Sequence, residues 1–389
     1  SGRQIAGYPT QSGAIGANMS PNSYFNPVPG TAVEWRRRGW EVPRTTDTTV
    51  TTWRFTAALE GSFEISERFF DWDVGYMYTD NEQTTVNNGN FYIPGVRAAV
   101  GPSFLNSQGV VQCGTAAAPI ALTNCVPWNP FAGFGTGAVA NSLDDPAVLA
   151  KLFRQEHALG ETSTHNYFAN LSGSLYTLPA GDLGFAVGLE HRKEEGGYYP
   201  DAIAQSGDST NLASGPTFGA YSLDEVYAEL NVPVLADITG ARELSLSLAS
   251  RYSDYDTIGS TKTWNIGIDW EVLPSLRIRG TTAKAVRAPG IGELFNPQSQ
   301  NFATFNDPCN TRVTNTNRPS TAADVALRQA NCAALGIPAD WVDDYTSNRP
   351  GLSGGNPNLR PESADTVSFG AVWQPEFVRG LGVSVDYWR

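Results

Sequence analysis

Hydrophobic and polar residues alternate with period two along much of this chain, the pattern of a strand with one greasy and one wet face. Trp53, Phe55, Ala57 and Leu59 alternate with Thr52, Arg54, Thr56 and Ala58, and Phe70, Trp72, Val74, Tyr76 and Tyr78 with Asp71, Asp73, Gly75 and Met77. The pattern returns over 167–175, 183–189, 226–232, 244–248, 264–270, 276–278, 367–373 and 381–387. It predicts an all-β, antiparallel sheet of about ten strands.

The links between these runs alternate in length. Those at 61–68, 179–182, 236–242, 273–275 and 375–380 are short, whereas 83–162, 200–220 and 287–363 are long, with 254–260 a modest exception. One end of the sheet should therefore carry tight turns and the other large loops, as in up-and-down transmembrane β-barrels with short periplasmic turns and long extracellular loops. A run of roughly ten residues, tilted near 45°, rises about 23 Å, close to the apolar band of about 25 Å of such barrels.

The polar face carries Arg54, Asp71, Asp73, Glu190, Arg192, Glu229, Arg251, Asp269, Glu271, Arg277 and Arg279. Inside a packed sandwich each would need a partner, whereas a watery lumen accommodates them. A two-sheet sandwich whose polar face meets solvent fits the alternation too. It fits the aromatic placement less well, because Trp53, Trp72, Tyr76, Tyr78, Tyr167, Trp264, Trp270, Trp373 and Tyr387 fall near run ends on the apolar face, as interfacial girdles require.

Composition narrows this further. The 389 residues carry a net charge of −13, which excludes a phosphate-tracking nucleic-acid binder. At 41% hydrophobic and 11% aromatic residues the chain has the material to fold. The longest stretch without Asp, Glu, Lys or Arg, 98–143, is broken repeatedly by Gly and Pro, so no membrane helix is expected there. Both termini read as cut: the chain opens on Ser-Gly-Arg and stops at Arg389 within an apolar alternation. Residues 1–44 are expected to lead into the barrel and 45–389 to form part of it.

Cys113 and Cys125, and Cys309 and Cys332, fall as local pairs in Gly/Pro/Asn/Ser-rich stretches that read as loops. Four cysteines allow three connectivities, with free thiols a further alternative. We favour the local one, each bridge closing one long loop, the first worth about 3 kcal/mol. Two helices are expected inside the loops. One begins at Asp145-Pro146 and buries Val148, Leu149, Leu152 and Phe153; the other begins at Thr321, with Asp324 three residues on, and ends at Gly336-Ile337-Pro338.

No catalytic constellation stands out. His157, His165 and His191 are dispersed, and neither HExxH nor CxxC occurs. No enzyme activity, metal or cofactor is expected. The acidic pairs Asp144-Asp145, Asp343-Asp344 and Glu194-Glu195 read as solvated loop charge. Instead the loops carry Trp128, Phe131, Phe134, Phe302, Phe305, Trp341 and Tyr345 among Asn, Ser and Arg, suited to stacking on a sugar or an aromatic chelator. Trp128, Phe131, Phe302, Trp341 and Tyr345 are the candidate ligand contacts; small cores within the loops are the other use of such rings.

The stretch Leu178-Pro179-Ala180-Gly181-Asp182-Leu183-Gly184-Phe185-Ala186-Val187-Gly188-Leu189-Glu190-His191-Arg192 resembles the middle barrel of TonB-dependent outer-membrane receptors. Glu225-Val226-Tyr227-Ala228-Glu229-Leu230-Asn231-Val232-Pro233-Val234 resembles the strand that follows, and Arg251-Tyr252-Ser253-Asp254-Tyr255 the next tyrosine-rich strand end. Most specific are Arg287-Ala288-Pro289-Gly290-Ile291-Gly292-Glu293-Leu294-Phe295 and Gly355-Asn356-Pro357-Asn358-Leu359-Arg360-Pro361-Glu362, which in that family flank a large late extracellular loop. The resemblance runs from Thr45 to Arg389 and is strongest to large proteobacterial receptors with Cys-containing loops. It implies part of a 22-stranded barrel, with the plug, TonB box and closing strand not recognisable in these residues. It further implies the outer membrane of a Gram-negative bacterium, lipid and TonB as partners, TonB acting through the plug, and active uptake of a siderophore, an oligosaccharide or a similar solute. A secreted or surface carbohydrate-binding β-protein is the alternative.

Overall fold

The computed structural model describes residues 4–6, 18–135, 139–303, 307–310, 321–342 and 349–389. In chain order its strands are β1 (Gln4–Ala6), β2 (Arg36–Arg38), β3 (Thr45–Ile65), β4 (Arg68–Phe91), β5 (Ser103–Leu105), β6 (Val111–Thr115), β7 (Ala118–Pro119), β8 (Phe153–Leu178), β9 (Gly181–Pro200), β10 (Thr217–Ile238), β11 (Ala241–Tyr255), β12 (Gly259–Leu273), β13 (Leu276–Arg287), β14 (Ser299–Ala303), β15 (Arg349–Ser353), β16 (Glu362–Trp373) and β17 (Val383–Trp388). Its helices are α1 (Ile93–Ala99), α2 (Pro146–Leu152), α3 (Ala202–Ser206), α4 (Ile291–Phe295) and α5 (Ala322–Ala334). No described helix is long and apolar enough to cross a membrane.

Ten strands form one antiparallel sheet in the order β17-β16-β13-β12-β11-β10-β9-β8-β4-β3, a meander in which each strand pairs with the next sheet strand in sequence. Directly paired residues point to the same face, so the registers test the alternation. Leu59, Val74, Ala169, Leu189, Val226 and Tyr252 lie in one row across six strands. Val232, Leu246, Ile268, Gly280, Phe369 and Tyr387 form another. Leu59, Val74, Leu189, Phe369 and Tyr387 are all exposed. Among the described residues no second layer covers this continuous apolar face, and its extent far exceeds what a water-soluble monomer leaves bare.

The opposite face is polar in the same registers. Asp73, Asn170, Gly188, Tyr227, Arg251 and Thr263 occupy one row. The strands meet in tight turns at one end, the first through Ser66 and Glu67, both with positive φ as a two-residue hairpin loop requires. At the other end lie the long connections.

The strands run further than the apolar alternation. β4 has 24 residues and β8 has 26, which at about 3.3 Å each and 45° tilt would rise more than 50 Å, well past an apolar band of about 25 Å. The first long connection therefore spans 92–152 rather than 83–162. Its strand extensions, such as Thr79-Asp80-Asn81-Glu82-Gln83-Thr84-Thr85, are polar on both faces, so neither side carries the apolar alternation.

Both expected helices form. Asp145 accepts the Ala147 N–H at the start of α2, which buries Val148 and Leu152. Thr321 and Asp324 make a capping box at α5, and Gly336 follows at φ +76°. Both local disulfides are present, Cys113–Cys125 and Cys309–Cys332, with sequence separations of 12 and 23.

Candidate ligand-recognition site

The long connections fold into a joined structure. The buried core of the first comprises Met19, Trp35, Phe91, Val96, Ala99, Val100, Val126, Trp128, Leu143, Val148 and Leu152. Met19 and Trp35 come from the segment before β3, which thereby packs at the long-loop end. Trp35 meets Trp128 edge-on, with ring centroids 5.2 Å apart, an arrangement favoured by the aromatic quadrupole. Cys113–Cys125 closes the connection between α1 and α2.

The connection between β9 and β10 is the hub. It meets the first loop through the Tyr92–Ser209 bridge and through Thr210, whose N–H donates to the Phe91 carbonyl at 2.9 Å and whose hydroxyl accepts the Phe91 N–H at 3.0 Å. Glu156, 1% exposed, reinforces the joint by accepting from the Ser209 hydroxyl and, at 2.8 Å, from the Asn211 amide. On its other side the hub holds the late connection. The Thr217 hydroxyl donates to Asn296 at 3.1 Å, and the Gln300 N–H to the Ala213 carbonyl at 3.2 Å. Gly219 leaves room for Phe295 of α4: a Cβ there would lie 2.1 Å from that ring.

The Arg287 guanidinium clamps the base of the late connection. It reaches Glu293 at 2.9 and 3.0 Å and Glu362 at 2.9 and 3.1 Å, joining α4 to the paired ends of β13 and β16. Hydrogen bonding to Arg287, then to the Gly290 N–H, draws the Glu293 carboxyl down from 4.5 to about 2. A depressed folded-state value stabilises wherever the unfolded group would already be ionised. The clamp should thus be fully engaged above pH 4.5 and be lost as pH falls through about 2. Limited proteolysis of the late connection should be unchanged between pH 8 and pH 5, while Glu293→Gln should accelerate it throughout that range. A late loop that loosens between pH 8 and pH 5 in the unsubstituted protein would contradict this.

The candidate contacts lie in two different loops. Trp128, at 0% exposure, is enclosed in the first core, so its ring touches a solute only if that core opens, while Phe131 nearby is 47% exposed. Phe302 is half-buried in β14, opposite Pro350, and Trp341 half-buried after α5. Tyr345 and Phe305 lie outside the described residues.

On the polar face a side-chain chain crosses the sheet. Asn170 donates to Asp73 at 2.8 Å, and the Tyr227 hydroxyl donates to Asn170 at 2.8 Å, passing over Gly188, where a Cβ would stand 2.2 Å from the tyrosine ring. The Arg251 guanidinium lies over the Tyr227 ring, 5.1 Å from its centroid, and binds Glu225 at 3.0 Å. Nearer the short turns Arg277 grips Asp269, and Arg279 grips Asp386. The charges are legible in the sequence but this crossing is not, because the pairing of Gly188 with Tyr227 is set by the strand register. Among the described residues no group of three His, Cys, Asp or Glu could hold a metal ion.

The family model described as "TonB dependent receptor-like, beta-barrel" matches residues 1–389. The chain belongs to this family. Its members are outer-membrane receptors and transporters rather than enzymes. No curated protein matches the chain. Among solved structures, the siderophore receptor PirA from Pseudomonas aeruginosa is 11% identical with a TM-score of 0.36, covering 87% of this chain and 45% of its own. The siderophore receptor PirA from Acinetobacter baumannii is 12% identical with a TM-score of 0.34, covering 93% of this chain and 54% of its own. The RagAB peptide transporter is 12% identical with a TM-score of 0.40, covering 88% of this chain and 30% of its own. The chain thus spans about half, or less, of the length of these structures.

Proposed function

We propose that residues 45–389 are the wall and outer loops of a TonB-dependent active transporter in the outer membrane of a Gram-negative bacterium. Residues 1–44 lead into that wall. The joined loops capture a scarce solute, a siderophore, an oligosaccharide or a molecule of similar size, with Phe131, Phe302, Trp341 and Tyr345 the exposed or loop-borne rings available for contact. Trp128 holds the loop that presents Phe131. In the intact receptor TonB, drawing on the inner-membrane proton gradient, acts through a plug, and the solute then descends along the polar face.

The observation that carries this reading is the uninterrupted outward row of apolar side chains backed by a polar inner row. Lipid satisfies the first and water the second, and among the described residues no second protein layer packs on the apolar side to take the place of lipid. The intact protein should fractionate with the outer membrane and migrate differently before and after boiling in detergent. Deleting TonB should reproduce the uptake defect of deleting the receptor. Recovery as a detergent-independent soluble protein, or uptake that persists without TonB, would refute the proposal.

A further inference from the structure

The inner wall is hollowed where small side chains, Ala249, Ala283 and Ala285, face inward among larger neighbours. A groove of about 430 Å³ results, bordered by Glu225, Tyr227, Arg251, Tyr255, Thr263 and Asn265. A second hollow of about 560 Å³ shares Glu229, Ala249 and Asn265 with it and continues past Asn231 and Ser247 toward the short turns. Each lies within the size range of small-molecule sites, about 300–1,000 Å³.

The charges around the upper groove are arranged so that neither guanidinium acts as a free pole. Arg251 is held by Glu225 at 3.0 Å and Glu190 at 3.7 Å, and Arg192 by Glu194 at 3.3 Å and Glu190 at 3.8 Å. The Glu225 side chain is only 6% exposed and also accepts from the Ser253 hydroxyl, so the cluster is anchored in the wall. Glu229 adds a fourth carboxylate with no ion-pair partner among the described residues. Four carboxylates thus face two guanidinium groups. An anionic chelate would meet a wall of its own sign, its natural anchor Arg251 already neutralised. A polycation would find Glu190 and Glu225, whose side chains are 18% and 6% exposed, already committed to Arg251, which leaves it Glu229 but no cluster of free carboxylates.

An uncharged, hydroxyl-rich molecule encounters neither obstacle. Its hydroxyls both donate and accept, so they can use spare guanidinium N–H groups, carboxylate lone pairs and the Asn265 amide together. Its C–H faces can lie against the rings of Tyr227 and Tyr255. We infer that this groove is a way-station for a neutral glycan-type solute, an inference that names the cargo class of the transporter proposed above and rests on that proposal.

The test is titration of the whole purified receptor in detergent. The neutral probes are maltoheptaose, cellohexaose, xylohexaose and chitohexaose, the anionic probes ferric citrate and a ferric tris-catecholate, and the cationic probe spermine. At least one neutral oligosaccharide should bind saturably while the chelates and spermine do not. Arg251→Met should weaken that binding by about tenfold or more, and Arg251→Lys by less, since hydrogen bonds to a charged fork are worth more than those to neutral groups. Asn265→Leu, at an exposed position that does not endanger folding, should weaken it by about threefold. Binding of a ferric chelate or of spermine, silence from every neutral probe, or indifference to both Arg251→Met and Asn265→Leu would overturn the inference. TonB-dependent uptake of a chelate would end this inference and leave the transporter proposal standing. Groove-dependent oligosaccharide binding with uptake indifferent to TonB would do the reverse.

Discussion

Replacing Leu246 by arginine is expected to destabilise the barrel by about 2–4 kcal/mol, because the outward position it occupies would place a guanidinium near the bilayer midplane. Leu246 pairs with Val232 on one side and Ile268 on the other, in the middle of the apolar face. The cost alone would not separate lipid from a packed protein layer, since a buried arginine is penalised in either. The depth dependence does. Arginine at Leu248 and then at Tyr252, the same face of β11 nearer the long loops, should cost progressively less, reaching about 0–1 kcal/mol at the interface. Ser247→Arg, one residue away but facing the lumen, should cost less than Leu246→Arg. Equilibrium unfolding in lipid vesicles measures the series. A uniform cost along β11, or equal penalties at positions 246 and 247, would contradict lipid as the covering of this face.

The same contrast between faces explains which parts of the fold could be read from sequence. Within the lipid belt one side of every strand must be apolar and the other wet, so runs such as 53–59 and 244–248 announce themselves. Above the belt no such demand operates. Thr45-Thr46-Asp47-Thr48-Thr49 and Thr84-Thr85-Val86-Asn87 pair as strands because their neighbours do, and carry little periodic signal of their own. Among the helices, α2 and α5 were legible through Asp145 and through Thr321 with Asp324. By contrast, α1 follows Tyr92, which makes no side-chain cap, and contains Pro94 and Gly95. The hub between the loops was not legible at all. Glu156 is far in sequence from Ser209 and Asn211, and each alone resembles ordinary polar surface.

Truncating Trp128 to alanine should produce the largest local effect in the molecule, about 3–5 kcal/mol, the usual cost of removing a fully buried aromatic ring. The loss should fall on the first long connection rather than on the sheet, because the ring packs on Trp35 and Phe91 within that loop's own core. Hydrogen exchange followed by mass spectrometry should show faster exchange in α1 and α2, with β10 to β13 unchanged. Trp128→Phe should cost less: the indole N–H is buried without an acceptor among the described residues, so phenylalanine removes volume but leaves no additional polar group unpaired. Because Phe131 projects from the same connection, the alanine variant should also weaken solute capture indirectly, and the phenylalanine variant should largely spare it. A ring that contacts the solute itself would behave otherwise. Both substitutions would then weaken binding while hydrogen exchange in α1 and α2 stayed at the level of the unsubstituted protein.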